Sequence, residues 1–462
     1  MKSFHARVAG LVLAAAGLAL GGALLNTALA GAAPEVSKFL TLDNGLKVFL
    51  LESRGLPLVS IVAAVNCGSK DETTATSGLA HLLEHYCLVR GTTARSGEEI
   101  SRQVRSHGAS FNARTSQDLM MFEICLPAVF ADFGLANQKE ILFDLKITPA
   151  EVEAERTVIL EELNLIADDP VKAATSLVFQ KVFASHPYGN PLQGTRDSLN
   201  SLTANDLEDF HRTYFVPANT GLAVVGDFSL PEMEQKVRSV FGGLPSVPFK
   251  PPRIAKAPAP AKDIDLTVEM DVSKAYCLIG MAGPDYDSPD QYAVDALAEV
   301  LGQGFNPMLN SALRGARDLV ETVSMNYSSL KQGGLILATL SLDPKNLAAA
   351  KREALKFLRS SRSLNFSPDD ILGEDQFYAF DYLQSAKNQI RFQMYRGQER
   401  GLNIAASLAR YLLLWNGSVE RNFLESIEKL SSSDLRQVAG KYLGGGKKVV
   451  VSIIPRKKGK GS

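Results

Sequence analysis

The sequence predicts an α+β fold made of two homologous domains, each an antiparallel sheet with helices, related by internal duplication. Three observations predict it. The proline-rich stretch PSVPFKPPRIAKAPAPAK, from Pro245 to Lys262, divides the chain into halves of similar size and reads as an extended linker. Leu202-Thr203, Asp206-Leu207 and Tyr214 recur as Leu430-Ser431, Asp434-Leu435 and Tyr442, every pair 228 positions apart. In both halves that pattern opens with a helix N-cap, Thr203 or Ser431, and runs on to a β-branched strand, GLAVVGDF near Ala223 and KKVVVSII near Val450. A helix followed by a closing strand, repeated at constant offset, implies a duplicated unit. The expected divisions are a signal peptide over 1–30, an N-terminal domain over 36–244, the linker over 245–263 and a C-terminal domain over 264–456.

Along the chain, Lys2 and Arg7 precede an apolar run from Val8 to about Leu25 that ends in Ala28, Leu29 and Ala30. This pattern predicts a secretory signal peptide cleaved after Ala30, the alternative being an uncleaved anchor, since the run approaches spanning length. The residue directly after Ala30 is not a cysteine, which argues against a lipid-anchored precursor, and no later segment is long and apolar enough to span. The mature chain is therefore expected outside the cytoplasm, in the periplasm, with no stable membrane insertion. Two alternating strands, TLDNGLKVFLLES and LVSIVAAVNC, then lead into a helix from about Ser77 to Val89. A second helix is expected from Ser96 to His107 and a strand from Ser110 to Leu126. Two long helical stretches follow, one of them from Glu151 to Ala167. The cysteines Cys67, Cys87, Cys125 and Cys277 sit in apolar, strand-like flanks, where they either pair or remain buried free thiols.

Composition excludes some functions. Apolar residues make up 45% of the chain and charged ones 21%, enough to bury a full core. The 49 lysines and arginines balance 50 acidic residues, so bulk charge gives no attraction to nucleic acid or to an anionic membrane.

The chemistry is concentrated in GLAHLLEHYCL. His81 and His85 lie four residues apart, which on a helix places both imidazoles on one face, where they can bind one metal ion. Glu84, between them, is close to such an ion without having to be a ligand. A carboxylate there can take a proton from an attacking water and deliver it to the leaving amine of a peptide. The order HxxEH inverts the commoner HExxH and is the inverzincin motif. Histidines satisfied inside a core helix would not require a glutamate at the intervening position. Catalytic zinc usually takes three protein ligands and leaves a fourth position to water, so a third ligand must come from elsewhere. The periodic helix EVEAERTVILEELNL offers Glu155 and Glu162, seven residues apart along one face, and either could reach the ion.

HLLEH followed by ERTVILEE resembles the pitrilysin/insulinase family, which includes the mitochondrial processing peptidases. The likeness continues through SFNARTS at Ser110 to Ser116, HPYGNPLQG at His186 to Gly194 and YFVPANTGLAVVGD at Tyr214 to Asp227. The resemblance implies one zinc ion per chain, with the last glutamate of the downstream motif, Glu162, as third ligand, 77 positions after His85. It places Glu155 as a supporting residue beside the ligands and leaves Glu161 solvated or paired. It also implies two domains facing each other, clamshell-like, around a chamber. The stretch at Asn112 and Ala113 corresponds to an edge strand that receives peptide as an added strand, although a plain core strand is compatible with those residues alone.

The second half has no HxxEH, as the family leads one to expect of a duplicated domain that has lost its metal. In the family this half often keeps an arginine, and seven residues later a tyrosine, that engage substrate and its developing oxyanion. The arginine maps to Arg314, but the tyrosine position holds Glu321, which cannot donate a hydrogen bond when ionised. Tyr327 could substitute. Otherwise the chain is expected to act as a homodimer, or as the zinc subunit of a heterodimer whose related partner supplies the arginine and tyrosine. The sequence thus predicts a zinc endopeptidase for short or unfolded peptides. A non-catalytic, chaperone-like peptide-binding subunit is the alternative from another class, and a maturation protease for a single precursor is a third.

Overall fold

The chain is described by a computed structural model over residues 36–456, apart from 305, 316, 371–379 and 415–422. The expected signal peptide lies outside the described residues. In the first half the order is β1 (Val36–Thr41), β2 (Lys47–Glu52), β3 (Leu58–Val65), α1 (Leu79–Val89), α2 (Gly97–Ser106), β4 (Ser110–Thr115), β5 (Met120–Pro127) and α3 (Ala131–Phe143). Then come α4 (Pro149–Asp168), α5 (Pro170–Val182), α6 (Arg196–Ser201), α7 (Ala204–Tyr214), β6 (Thr220–Gly226) and α8 (Leu230–Phe241). The second half follows with β7 (Ile264–Met270), β8 (Ala275–Gly283), α9 (Asp290–Ala298), β9 (Thr322–Leu330), β10 (Gly333–Leu342) and α10 (Leu347–Ser360). It ends with α11 (Tyr382–Gly397), α12 (Gly401–Leu414), α13 (Phe423–Lys429), α14 (Ser432–Val438) and β11 (Val449–Pro455). Among the described residues no helix is long and apolar enough to cross a membrane.

The strands form two sheets, in the orders β1-β2-β6-β3-β5-β4 and β7-β11-β8-β10-β9. Without β1 the two orders are the same, strand for strand, which is the duplication expressed as topology. Each sheet is antiparallel except where its last strand in the chain lies parallel to an earlier one, β6 on β2 and β11 on β7. The closing strand returns after a helical crossover, so it can enter in the same direction as the strand it joins. The matched caps also recur: Thr203 and Ser431 each accept a hydrogen bond from the residue three ahead, Asp206 or Asp434, whose carboxylate bonds back to the cap. Both are capping boxes.

The strand expected over Ser110–Leu126 is a hairpin. Ser116 turns it, its backbone bonding the Leu119 carbonyl at 2.9 Å and its hydroxyl accepting the Leu119 amide at 3.1 Å. A serine side chain that satisfies the backbone two to three residues on favours a turn over continued strand.

Two compact units contain these sheets, and they are not the two halves of the sequence. One gathers the chain up to Leu160 with Leu192–Arg253 and Met394–Asn422. The other gathers Glu161–Pro191, Ile254–Gln393 and the chain from Phe423. In the first unit α12 packs Ile404, Ala405, Leu408, Ala409 and Leu412 on Phe49, Val62, Ala223 and Val225 of the sheet. In the second, α5 packs Ala174, Val178 and Val182 on Leu278, Leu335 and Val451. Both stripes follow the four-residue helical repeat. Division at 245–263 separates the two sheets but not these two helices from the sheets they cover. The linker's last part is pinned within the second unit, where Ala257 donates to the Gln332 carbonyl and His186 Nε2 lies 3.0 Å from the Ala255 carbonyl.

Candidate metal centre

Helix α1 begins two residues later than the sequence pattern suggests, because Gly78 is its N-cap with φ of +91°, a left-handed conformation open to glycine. The chain around it is close-packed. A Cβ on Gly78 would meet the Gln193 carbonyl at 2.7 Å, and one on Gly194, itself at φ +80°, would meet the Ser77 carbonyl at 2.4 Å. The HPYGNPLQG segment therefore seats the start of the helix, and Ser198 Oγ donates to the same Ser77 carbonyl at 2.7 Å.

From that start α1 carries His81 and Glu84 buried at 7% and 8% exposure, with His85 half-buried. The His81 and His85 rings meet edge-on with centroids 4.7 Å apart. Helix α4 supplies Glu162. Ligand atoms of His81, His85 and Glu162 all lie within 4.8 Å of one another. Two imidazoles and one carboxylate at that separation are a donor set that suits zinc, and the fit is chemical as well as geometric. Glu161, one residue earlier, faces solvent.

Glu155, two turns before Glu162 on α4, is 2% exposed. One of its oxygens lies 3.6 Å from His85 Nδ1 and the other 2.5 Å from Arg90 Nη2. Burial pushes the Glu155 carboxyl up, but the His85 ring and the Arg90 guanidinium outweigh it and hold it below the ordinary value. A second bridge joins the same helices, Tyr86 OH donating to Glu151 Oε2 at 2.8 Å. Tyr86 and Arg90 are four apart on α1, and Glu151 and Glu155 four apart on α4, so two matched rungs fix the ligand-bearing helices together. Sequence reasoning found Glu155 but missed Arg90 and Tyr86. The only available signal was their shared helical spacing, which many surface pairs also show.

Strand β4, with Asn112 exposed and Ala113 buried, is an edge of the first sheet, paired on one side with β5. In the second half Arg314 is exposed in the turn Ser311–Gly315. Glu321 forms an ion pair with Lys274, both side chains about half exposed. Tyr327 donates its hydroxyl to the Pro284 carbonyl at 2.8 Å, so that donor is already engaged. The four cysteines are free thiols, Cys67, Cys87 and Cys277 buried and Cys125 half-buried. Burial pushes the Cys67 and Cys87 thiols well up, which keeps them protonated.

Known proteins are similar to this chain in sequence and fold. Residues 47–196 match the insulinase family, peptidase family M16, and residues 201–373 match the peptidase M16 inactive domain. A protein of Mycobacterium leprae named as a zinc protease is 30% identical over 302 residues, 63% of this chain and 65% of that protein. Zinc protease PqqE of Helicobacter pylori is 25% identical over 423 residues, 90% of this chain and 92% of that protein. The crystal structure of a protease from Helicobacter pylori covers 91% of this chain and 100% of its own, with a TM-score of 0.80 at 23% identity, and so shares the fold. With both of the family's domains matched in order, and with relatives aligned over most of its length, the chain belongs to the insulinase family of peptidases, family M16.

Proposed function

We propose that the chain is an exported zinc endopeptidase that cleaves short or unfolded peptides. One observation carries this reading: the donor atoms of His81, His85 and Glu162 converge within 4.8 Å, and Glu84 is buried on the histidines' own helix α1. The names of its relatives as zinc proteases support it. When bound, zinc would make water a better nucleophile and polarise the scissile carbonyl. His81 and His85 would hold it through imidazole nitrogens and Glu162 through a carboxylate oxygen. Glu155, facing His85 Nδ1, orients that ring and leaves Nε2 as the nitrogen for the metal. Glu84 takes the proton of the attacking water and gives it to the departing amine. Asn112 and Ala113 on the edge strand β4 offer backbone groups to an extended peptide, which selects for unfolded chain and asks little of its sequence. Export rests on the charged start and apolar run of residues 1–30.

A second reading concerns assembly. Glu321, paired with Lys274, stands where the resemblance calls for a tyrosine, and Tyr327 is engaged by Pro284. This favours a two-chain peptidase in which this chain brings zinc and Arg314 is completed by a related partner, or by a second copy.

Purified chain, alone and mixed with related subunits, should be assayed for zinc content and for hydrolysis of a quenched peptide library. Glu84→Gln is expected to keep zinc and lose about 10²–10⁴-fold in rate. Activity that survives this change would remove Glu84 from its role. Hydrolysis at full rate by the isolated monomer would remove the two-chain reading, and zinc binding without hydrolysis in every mixture would favour a peptide-binding subunit.

A further inference from the structure

The loop between β3 and α1 contains a buried acidic side chain that the reaction outlined above does not use. Glu72 is 4% exposed. Its Oε1 accepts the Ala80 amide at 2.7 Å and its Oε2 accepts the Gly78 amide at 3.0 Å. Gly78 is the N-cap of α1 and has no side chain to cap with, and Ala80 immediately precedes His81. One carboxylate from outside the helix thus satisfies two of the amides that a helix start leaves without partners.

The loop that presents Glu72 is itself anchored. Asp71 Oδ2 accepts the Gly68 amide at 3.0 Å and the Lys70 ammonium at 2.9 Å. Lys70 Nζ also donates to the Asp118 carbonyl at 2.8 Å, and the Ser69 and Lys70 amides donate to the Ser116 and Gln117 carbonyls. Ser116, Gln117 and Asp118 form the turn between β4 and β5. The five residues Gly68 to Glu72 of this loop therefore hold the start of the ligand helix at one end and the turn closing the edge strand at the other.

We propose that Glu72 is a positioning residue for the metal ligands, its carboxylate fixing where α1 starts and hence where His81, Glu84 and His85 stand relative to the edge strand β4. The inference rests on the metal reading of His81, His85 and Glu162. A helix start that shifts or frays moves His81 first, since it lies within the first turn, and His85 one turn later.

The test uses the full mature chain and three readouts: zinc affinity by competition with a chromogenic chelator, the absorption spectrum of the cobalt(II)-substituted protein, and kcat and KM. Glu72→Ala is expected to weaken zinc binding about tenfold, the lower end for losing support behind a metal ligand. It should also change the cobalt spectrum and lower kcat with KM little altered. Glu72→Gln has one carbonyl oxygen for two amides, and its effect is expected to fall between wild type and Glu72→Ala. Where Glu72→Ala does not fold by circular dichroism, Glu72→Gln is decisive on the same three readouts. Folded variants with wild-type zinc affinity and an unchanged cobalt spectrum overturn the role of Glu72 alone. A wild-type chain that binds no zinc overturns the metal reading and this inference with it.

Discussion

Asp295 on α9 and Glu299, in the π-helical turn that continues it, stand one helical turn apart. Burial pushes the Asp295 carboxyl up to about 7, and the negative Glu299 adds to the shift. Burial raises Glu299 too, and its Oε1 has no hydrogen-bond partner among the described residues. For an acid raised in the folded state, the stabilising contribution is fully present below its unfolded value of 3.8 and is lost as pH rises through about 7. Asp295→Asn does not titrate there, so it should unfold much like wild type at about pH 4 and be more stable at about pH 8, by up to roughly 4 kcal/mol. Thermal unfolding at the two pH values checks this. An equal gain at both would assign the effect to packing instead of charge. Elsewhere at this scale the reach of sequence reasoning depended on the type of residue. His81, Glu84 and His85 were legible because four-residue spacing on a helix brings them together whatever else the fold does. Choosing Glu162 over Glu161 needed the family resemblance, and α4 agrees in leaving Glu161 to solvent while Glu162 meets the histidines. Glu72 was illegible, since nothing in a loop sequence says which distant amides a carboxylate will cap.

At the scale of elements, the ligand set depends on how α1 is held against α4. The two rungs between them are Tyr86 with Glu151 and Arg90 with Glu155. Arg90→Met keeps the length of the side chain and removes its charge, leaving Glu155 buried with the His85 ring as the one remaining ion-pair partner among the described residues. Removing one member of a buried pair costs more than the pair contributes, because the remaining charge is stranded. Zinc affinity should fall about 10–100-fold, and Arg90→Lys should recover part of it. A chelator competition series measures both. Zinc affinity unchanged in Arg90→Met would assign Arg90 to the surface. The helices themselves were read correctly to within a residue or two, and the end of α1 at Val89 was read without error. The hairpin at Ser116 was not, because residues 110–126 are β-prone on both sides of a turn whose only mark is one serine.

At the scale of the whole molecule, sequence periodicity shows that a helix has an apolar face but not which sheet that face will cover. The duplication was legible in the repeat at Tyr214 and Tyr442, and the strand orders repeat it. The exchange of helices was not: α5 follows the first half's strands yet covers the second sheet, while α12 belongs in sequence to the second half and covers the first. Each compact unit is therefore built from both sides of the linker. Cleavage of the chain once in the exposed stretch 250–252, for instance at an inserted protease site, removes one peptide bond and leaves the packed side chains in place. The two fragments should then stay together through size exclusion without denaturant. Separation would require α12 to leave Phe49, Val62 and Val225, and α5 to leave Leu278 and Val451, exposing several large side chains at about 1.5–3 kcal/mol each. For the same reason residues 36–244 expressed alone should bind a hydrophobic dye and aggregate, because the first sheet lacks its α12 cover, and co-expression with 245–456 should restore solubility. A soluble, dye-silent first half, or fragments that part on the column, would show that each sheet is stable without the helix it takes from the other side of the linker.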